Sequence, residues 1–176
     1  MDDFNKKFLV ESLLFVTGEP LSINDIKRST ELTEDDIKKA IQELTEEYRS
    51  RNGGFFIAAI AEGFQLVSNP EYAPWIRKLR TTATTAKLSM AALETLSIIA
   101  YKQPITKIEI EQLRGVNSDG VVKSLLEKRL IKILGKKEVP GKPMLYGTTK
   151  DFLQYFGLKD LSDMPTLKEL QRDDSL

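Results

Sequence analysis

The stretches Pro20-Leu21-Ser22-Ile23-Asn24-Asp25-Ile26 and Pro104-Ile105-Thr106-Lys107-Ile108-Glu109-Ile110 stand at a constant offset of 84 residues, and they decide how the chain is read. Each places a hydroxyl residue three positions ahead of an acid, directly after a proline entry. That is the pattern of a capping box. The hydroxyl accepts from a free backbone N–H at a helix start, and the acid reaches back to the N–H of the cap residue. One such box is common in any sequence. Two at matched positions, each followed by the same succession of elements, point to an internal duplication.

Outward from the first box, Asp3 to Val16 reads as a helix too apolar for a fully exposed surface helix and so buried on more than one side, ended by Gly18. A short helix holding Ile23 and Ile26 follows the box. Thr33 with Asp36 opens a longer helix with Ile37, Ala40, Ile41, Leu44 and Tyr48 on one face, stopped by Gly53-Gly54. Phe55 to Ile60 and Phe64 to Ser68 are expected as strands, with the turn at Glu62-Gly63. Pro70 to Leu79, with Tyr72, Trp75, Ile76 and Leu79, is expected as a closing helix.

The second half repeats the order. Leu88-Ser89 introduces an apolar helix through Ala92, Leu93, Leu96, Ile98, Ile99 and Tyr101. A short helix with Ile110 and Leu113 stops at Gly115. Ser118 opens a third helix carrying Val121, Val122, Leu125, Leu126 and Leu130. Ile131 to Leu134 and Met144 to Thr148 are expected strands around a turn at Pro140-Gly141, and Asp151 to Phe156 closes the unit. Helix, capped short helix, longer helix and hairpin is the order of a winged helix. The expected fold is mainly α with small β-hairpin wings, an α+β class built as two tandem winged-helix domains. Thr81 to Ala86 contains no large apolar residue and serves as the linker candidate. The expected division is a first domain over 1–80, a linker over 81–87, a second domain over 88–158 and a tail over 159–176.

The charge pattern changes near the same boundary. The 176 residues carry 26 basic and 26 acidic side chains. Residues 1–86 hold 11 and 14 of these, residues 87–150 hold 12 and 6, and residues 151–176 hold 3 and 6. A basic second half between acidic segments suggests a partner preference of its own, or simply a dipolar, mixed-charge surface.

Composition removes many chemistries. The chain has no His and no Cys. It therefore has no Ser-His-Asp triad, no thiol nucleophile, no disulfide and no Cys- or His-ligated metal. Carboxylate-bound cations and Ser-Lys catalysis survive that filter. Glu34-Asp35-Asp36 could hold a hard cation, but it falls in the first turn of an expected helix, where negative charge is favoured anyway. Gly135-Lys136-Lys137 and Gly141-Lys142-Pro143 lack the glycine spacing and Ser/Thr of a phosphate-binding loop and read as turn residues. No catalytic function and no cofactor are expected. No apolar run reaches the length of a membrane span, so a cytoplasmic location is expected.

A winged helix raises the possibility of DNA binding. The long first-half helix offers Glu34, Asp35, Asp36, Glu43, Glu46 and Glu47 against Lys38, Lys39, Arg49 and Arg51, a poor match to phosphate. The second half is more basic, with Lys123, Lys128, Arg129, Lys132, Lys136, Lys137 and Lys142, yet its third helix is dominated by Val121, Val122, Leu125 and Leu126. Few side chains remain to read bases. At most weak, non-specific DNA contact is expected, and a DNA-binding transcriptional regulator stands as the alternative to a protein-binding module. Phe4, Phe8, Phe15, Phe55, Phe56, Phe64 and Trp75 are many aromatics for a domain of this size to bury, so a self-association surface and a well-filled core are both open.

Several stretches resemble one family. Ser89-Met90-Ala91-Ala92-Leu93-Glu94-Thr95-Leu96-Ser97-Ile98-Ile99-Ala100-Tyr101-Lys102-Gln103-Pro104-Ile105-Thr106 is similar to the signature of bacterial segregation and condensation protein B. Ile110 to Ser118, Pro140 to Thr149, Phe152 to Gly157 and Glu11 to Ser22 also resemble it. The resemblance spans roughly Phe8 to Leu170. It implies a non-enzymatic subunit of the SMC chromosome-condensation complex, located in the cytoplasm with the nucleoid. It further implies a homodimer formed through the N-terminal domain and binding of the kleisin subunit (segregation and condensation protein A) through the C-terminal domain. Through the kleisin it would reach the SMC ATPase. Carried over onto this sequence, the resemblance marks Tyr101, Gln103, Pro104, Arg114, Gly115 and Tyr146 as kleisin-binding candidates. With the aromatic-rich first half, it marks Phe4, Phe8, Phe15, Phe55 and Phe64 as dimer-interface candidates. Pro104 and Gly115 also read as turn residues, and Tyr101 as a core residue.

Overall fold

The computed structural model describes residues 3–79, 88–166 and 169. The linker expected at 81–87, the side chain of Phe4 and most of the segment after 166 lie outside the described residues. The chain divides into two compact units, Met1–Thr84 with Gly157–Leu176, and Thr85–Phe156. The segment expected as a separate tail thus groups with the first unit.

The first unit contains α1 (Asp3–Thr17), α2 (Ile23–Ser29), α3 (Glu34–Arg51), β1 (Phe55–Ile60), β2 (Gly63–Ser68) and α4 (Ala73–Leu79), the last preceded by a 3-10 turn over Pro70–Tyr72. Both expected caps form. The Asp25 N–H donates to Ser22 Oγ at 3.2 Å, and the Ser22 N–H donates to Asp25 Oδ2 at 3.1 Å. Thr33 and Asp36 reproduce this exchange, each bond at 3.2 Å. With its first turn fixed, α3 turns Ile37, Ala40, Ile41 and Leu44 into a core shared with Val10, Leu14, Ile26, Leu32 and Ile57. Each large aliphatic buried there contributes about 1.5–3 kcal/mol of transfer free energy. Lys6 to Asp36 (2.9 Å), Lys7 to Glu47 (3.0 Å) and the Tyr48 hydroxyl to Glu11 (2.6 Å) tie α1 and α3 together at the rim.

The hairpin pairs Phe55 with Ser68 through to Ile60 with Gly63. Its turn is Ala61-Glu62, both at positive φ (51° and 59°), rather than the expected Glu62-Gly63. Positive φ at both central residues gives a two-residue turn whose twist matches the strands. Gly63 sits inside β2 for another reason. A Cβ there would lie 2.7 Å from the carbonyl oxygen of Leu21. Leu21 and Phe64 exchange both backbone hydrogen bonds at 2.9 Å, so the residue before the first capping box is stitched to the wing. The Ala61 and Glu62 N–H groups donate to the carbonyls of Leu158 and Lys159, both at 2.8 Å, which joins the late segment to the same turn.

The second unit contains α5 (Met90–Lys102), β3 (Ile105–Thr106), α6 (Lys107–Arg114), α7 (Asp119–Glu127), β4 (Ile131–Lys136), β5 (Met144–Thr148) and α8 (Lys150–Phe156). Its sheet is antiparallel in the order β3-β5-β4. Sequence reading placed no strand at β3, because two residues carry no periodicity. Thr106 ends that strand and caps α6 at once. Ser118 is buried and makes no side-chain cap; its N–H donates to Glu111 at 3.0 Å, while Asn117 accepts the Asp119 N–H at 3.0 Å. Leu96, Ile99, Ile110, Val122, Leu125, Ile131, Phe152 and Leu153 are buried in this unit.

Replacing Gly63 with Ala is expected to destabilise the first unit by about 1–3 kcal/mol, because the clash is with backbone that cannot move aside. At Gly54 a Cβ would meet nothing within 4 Å. Gly54→Ala is therefore expected to be neutral or to stabilise by up to about 1 kcal/mol. Urea titrations of the two variants check the contrast.

Candidate functional site

The second-unit candidates gather where α5 hands over to β3 and α6. Gln103 follows α5 and accepts the Thr148 N–H at 2.7 Å on Oε1. Its Nε2 donates to the Ala100 carbonyl at 3.1 Å and to Thr148 Oγ1 at 3.0 Å. The amide is therefore engaged in fastening α5 to β5. Gly147 leaves room for it, since a Cβ there would stand 2.8 Å from Gln103 Oε1. Tyr146 is only 8% exposed and pairs with Ile105 and Ile133 within the sheet, so it offers little area to a partner. Tyr101 is half-buried in the last turn of α5, and Pro104 is exposed.

Pro104 lines a cleft of about 390 Å³ together with Lys102, Ile105, Glu109, Gln112 and Leu113. Leu113 and Ile108 are exposed apolar residues of α6. Glu109 is shared by two tasks. Its Oε2 accepts the Thr106 N–H (2.8 Å) and hydroxyl (2.7 Å), while Oε1 accepts from Lys137 at 2.6 Å. Lys137 first, then the Thr106 donors, hold this carboxyl down to about 2 from an ordinary 4.5.

Arg114 and Gly115 end α6. Gly115 adopts φ 69° as the left-handed cap. The Arg114 side chain is 9% exposed and bonds Glu94 at 3.0 Å, while Glu94 itself is largely exposed. Among the described residues, the buried Nε of Arg114 has no hydrogen-bond partner. The pair thus presents its carboxylate to solvent and keeps the guanidinium beneath.

The first-unit candidates separate. Phe64 is half-buried and packs on the core. Phe8 is partly exposed, with the Lys7 ammonium 5.4 Å from its ring centre. Phe15 is 74% exposed, and Phe55 is exposed at the start of β1. Trp75 counts among the aromatics open to self-association, but the dimer-interface candidates include no residue of α4, expected as a closing helix. No residue of α4 is buried, and Trp75 and Leu79 are 64% and 83% exposed. The helical spacing was correctly read, but such a stripe does not say whether it faces a core or an interface.

Among the described residues, no group of three or more acids forms a metal-binding cluster, and no helix is long and apolar enough to cross a membrane. Asp36, the last of the acidic run in α3, is occupied by Lys6 and Thr33, which hold its carboxyl at about 2.

Two units of helix, capped helix, helix and hairpin, presenting outward-facing side chains, define a tandem winged-helix protein. Residues 8–167 match the family model described as segregation and condensation complex subunit ScpB, so the chain belongs to that family. The segregation and condensation protein B of Syntrophotalea carbinolica is 48% identical over 96% of this chain and 85% of that protein. The crystal structure of ScpB from Mycobacterium tuberculosis is 31% identical, with 90% of this chain and 98% of that chain covered and a TM-score of 0.44. A crystal structure of a dimer of ScpB N-terminal domain with an ScpA peptide is 34% identical, covers 42% of this chain and 91% of that chain, and has a TM-score of 0.39.

The depressed Glu109 carboxyl makes a pH prediction. Its folded value lies below its unfolded one, so its contribution is present above about 4.5 and is lost as pH falls toward about 2. Glu109→Gln removes this titration. The melting temperature of the variant is expected to lie below wild type at neutral pH, with the two curves converging as pH drops through that window. Parallel curves would show that Glu109 carries no such linkage.

Proposed function

We propose that the chain is a non-catalytic architectural subunit of the bacterial SMC complex. It acts as a homodimer that binds the kleisin subunit ScpA and, through it, the SMC ATPase, in the cytoplasm on the nucleoid. The first domain (1–80) serves dimerisation and the second (88–158) kleisin binding. Family membership supports a role within the segregation and condensation complex. The observation that carries the reading is the outward apolar set of the first unit: Phe15, Val16, Phe55, Trp75 and Leu79, all exposed. Large apolar side chains left exposed on α1, β1 and α4 are material for a partner surface. A second copy is the simplest source of one, because a two-fold interface uses the same patch twice.

On the second unit, the cleft beside Pro104 and Leu113 suits an apolar side chain of a kleisin segment. Tyr101, Gly115 and the Arg114–Glu94 pair belong to the same two helices, α5 and α6, while Gln103 fastens α5 to β5 and Tyr146 pairs with Ile105 of the cleft lining. The charged face of α3 supports protein binding over groove reading, because Glu34, Asp35, Glu43 and Glu46 are exposed there.

Light scattering during gel filtration, with and without a purified kleisin fragment, tests the proposal. A dimer whose mass rises with kleisin is expected, and a monomer indifferent to kleisin would refute it. Trp75→Glu with Leu79→Glu is expected to yield a folded monomer, since neither side chain supports the core. Leu113→Glu is expected to weaken kleisin binding at least tenfold, about 1.4 kcal/mol, with the melting temperature unchanged. Titration calorimetry reads that change.

A further inference from the structure

The second unit carries a set of cations that its own acids do not engage. Lys107 pairs with Asp119, Arg114 with Glu94 and Lys137 with Glu109. Lys123, Lys128, Arg129, Lys132, Lys136 and Lys142 are all exposed, and among the described residues none of their side chains forms an ion pair or hydrogen bond. They follow α7, the Lys128–Arg129 corner, β4 and the hairpin tip in succession. Residues 123–142 hold seven basic side chains and two acidic ones, Glu127 and Glu138. So dense a run of like charge, unpaired in the isolated chain, is costly to keep together without a polyanionic counterpart.

We infer that this helix end and wing dock on the phosphate backbone of duplex DNA, without reading its sequence. Charge complementarity supplies the attraction, since each phosphate contact releases condensed counterions. The third helix and wing are also the parts of this fold shaped to meet a duplex. Base readout is absent, because α7 exposes chiefly Asp119, Gly120, Lys123 and Glu127, and Asp119 is held by Lys107. An acidic peptide adding a strand to the free edge of β4 is the competing occupant. The edge is ill-suited to it: the register shifts between Ile133 and Gly135, and lysines stand at positions 132 and 136. Bulges and lysines are the devices that keep sheet edges from recruiting further strands. Phosphates require only charge at the right spacing and are indifferent to a broken ladder. This contact is independent of the kleisin reading.

The experiment is fluorescence anisotropy of the full-length chain with two random-sequence duplexes at several salt concentrations. Equal affinity for both is expected. Six phosphate contacts give a log–log salt slope of about −5, or roughly a thousandfold loss between about 50 and 200 mM salt. Lys132→Glu with Lys136→Glu is expected to weaken binding at least tenfold at low salt and to reduce the slope by about 2. Lys27→Glu with Arg49→Glu, which removes the same charge from the first unit, is expected to leave binding near wild type. The neutral pair Lys132→Gln with Lys136→Gln, expected to fall between, guards against a folding defect in the charge reversal. Absence of duplex binding at about 50 mM salt, equal loss in the first-unit control, or tighter binding to a polyglutamate peptide of matched charge would each overturn the inference.

Discussion

The reciprocal cap at the entry of the second helix is the constraint on which each unit is built. A helix start leaves four backbone N–H groups without partners. In both units a Ser or Thr and an acid three residues on satisfy part of that deficit, and the residue just before the cap pairs with the wing. Leu21 bonds Phe64 in the first unit, and Ile105 pairs with Tyr146 in the second. The cap therefore sets where the helix begins and, in the same few residues, where the hairpin attaches. In the second unit Glu109 extends this one step further, because the carboxylate that closes the cap also holds Lys137 at the far side of the wing.

The two units then diverge in what they present. Around the same cap, the first fills its core from α1 and α3 and leaves Phe15, Trp75 and Leu79 outside. The second buries comparable aliphatics and adds to its own exposed apolar residues, among them Ile108, Leu113 and Ile133, a run of exposed cations that form no ion pair among the described residues. A duplicated scaffold with two kinds of surface is consistent with function residing on the faces rather than in the fold. It also accounts for the charge asymmetry between chain segments, since the cores of the two units contain almost no charge in either case.

What was legible in the sequence was local. The three boxes at Ser22, Thr33 and Thr106 were read correctly because a cap involves only residues within one turn. The long helices followed from periodicity, and the wings from their flanking turns. What escaped depends on distant chain. Gly63 looked like a turn residue, yet it is needed because Leu21 passes too close for a Cβ. Strand β3 has two residues and exists only because β5 lies beside it. Gln103 and Tyr146 belong to a family signature that does not separate contact residues from supports; the structure adds that Gln103 bonds Thr148 and that Tyr146 is buried. In α4, apolar spacing announced a helix with a sticky face without saying what that face meets.

Arg114 illustrates how support and contact merge at such a site. Leaving a buried N–H without an acceptor costs about 1–3 kcal/mol, more when the group is charged. A fold keeps such a group only where the surrounding packing outweighs the loss. Here the guanidinium ends α6, where a cation is favoured by the helix dipole, and Glu94 neutralises one side of it. The carboxylate of Glu94 remains largely exposed, so the pair presents negative charge outward while the positive partner is fixed below. A segment docking beside Leu113 that brings its own cation would engage Glu94 directly, whereas one that brings an acid would have to displace Glu94 and reach a guanidinium already packed in place. The first course leaves the support intact, so what this corner offers to solvent is the carboxylate of Glu94, with the cation beneath it committed to the fold.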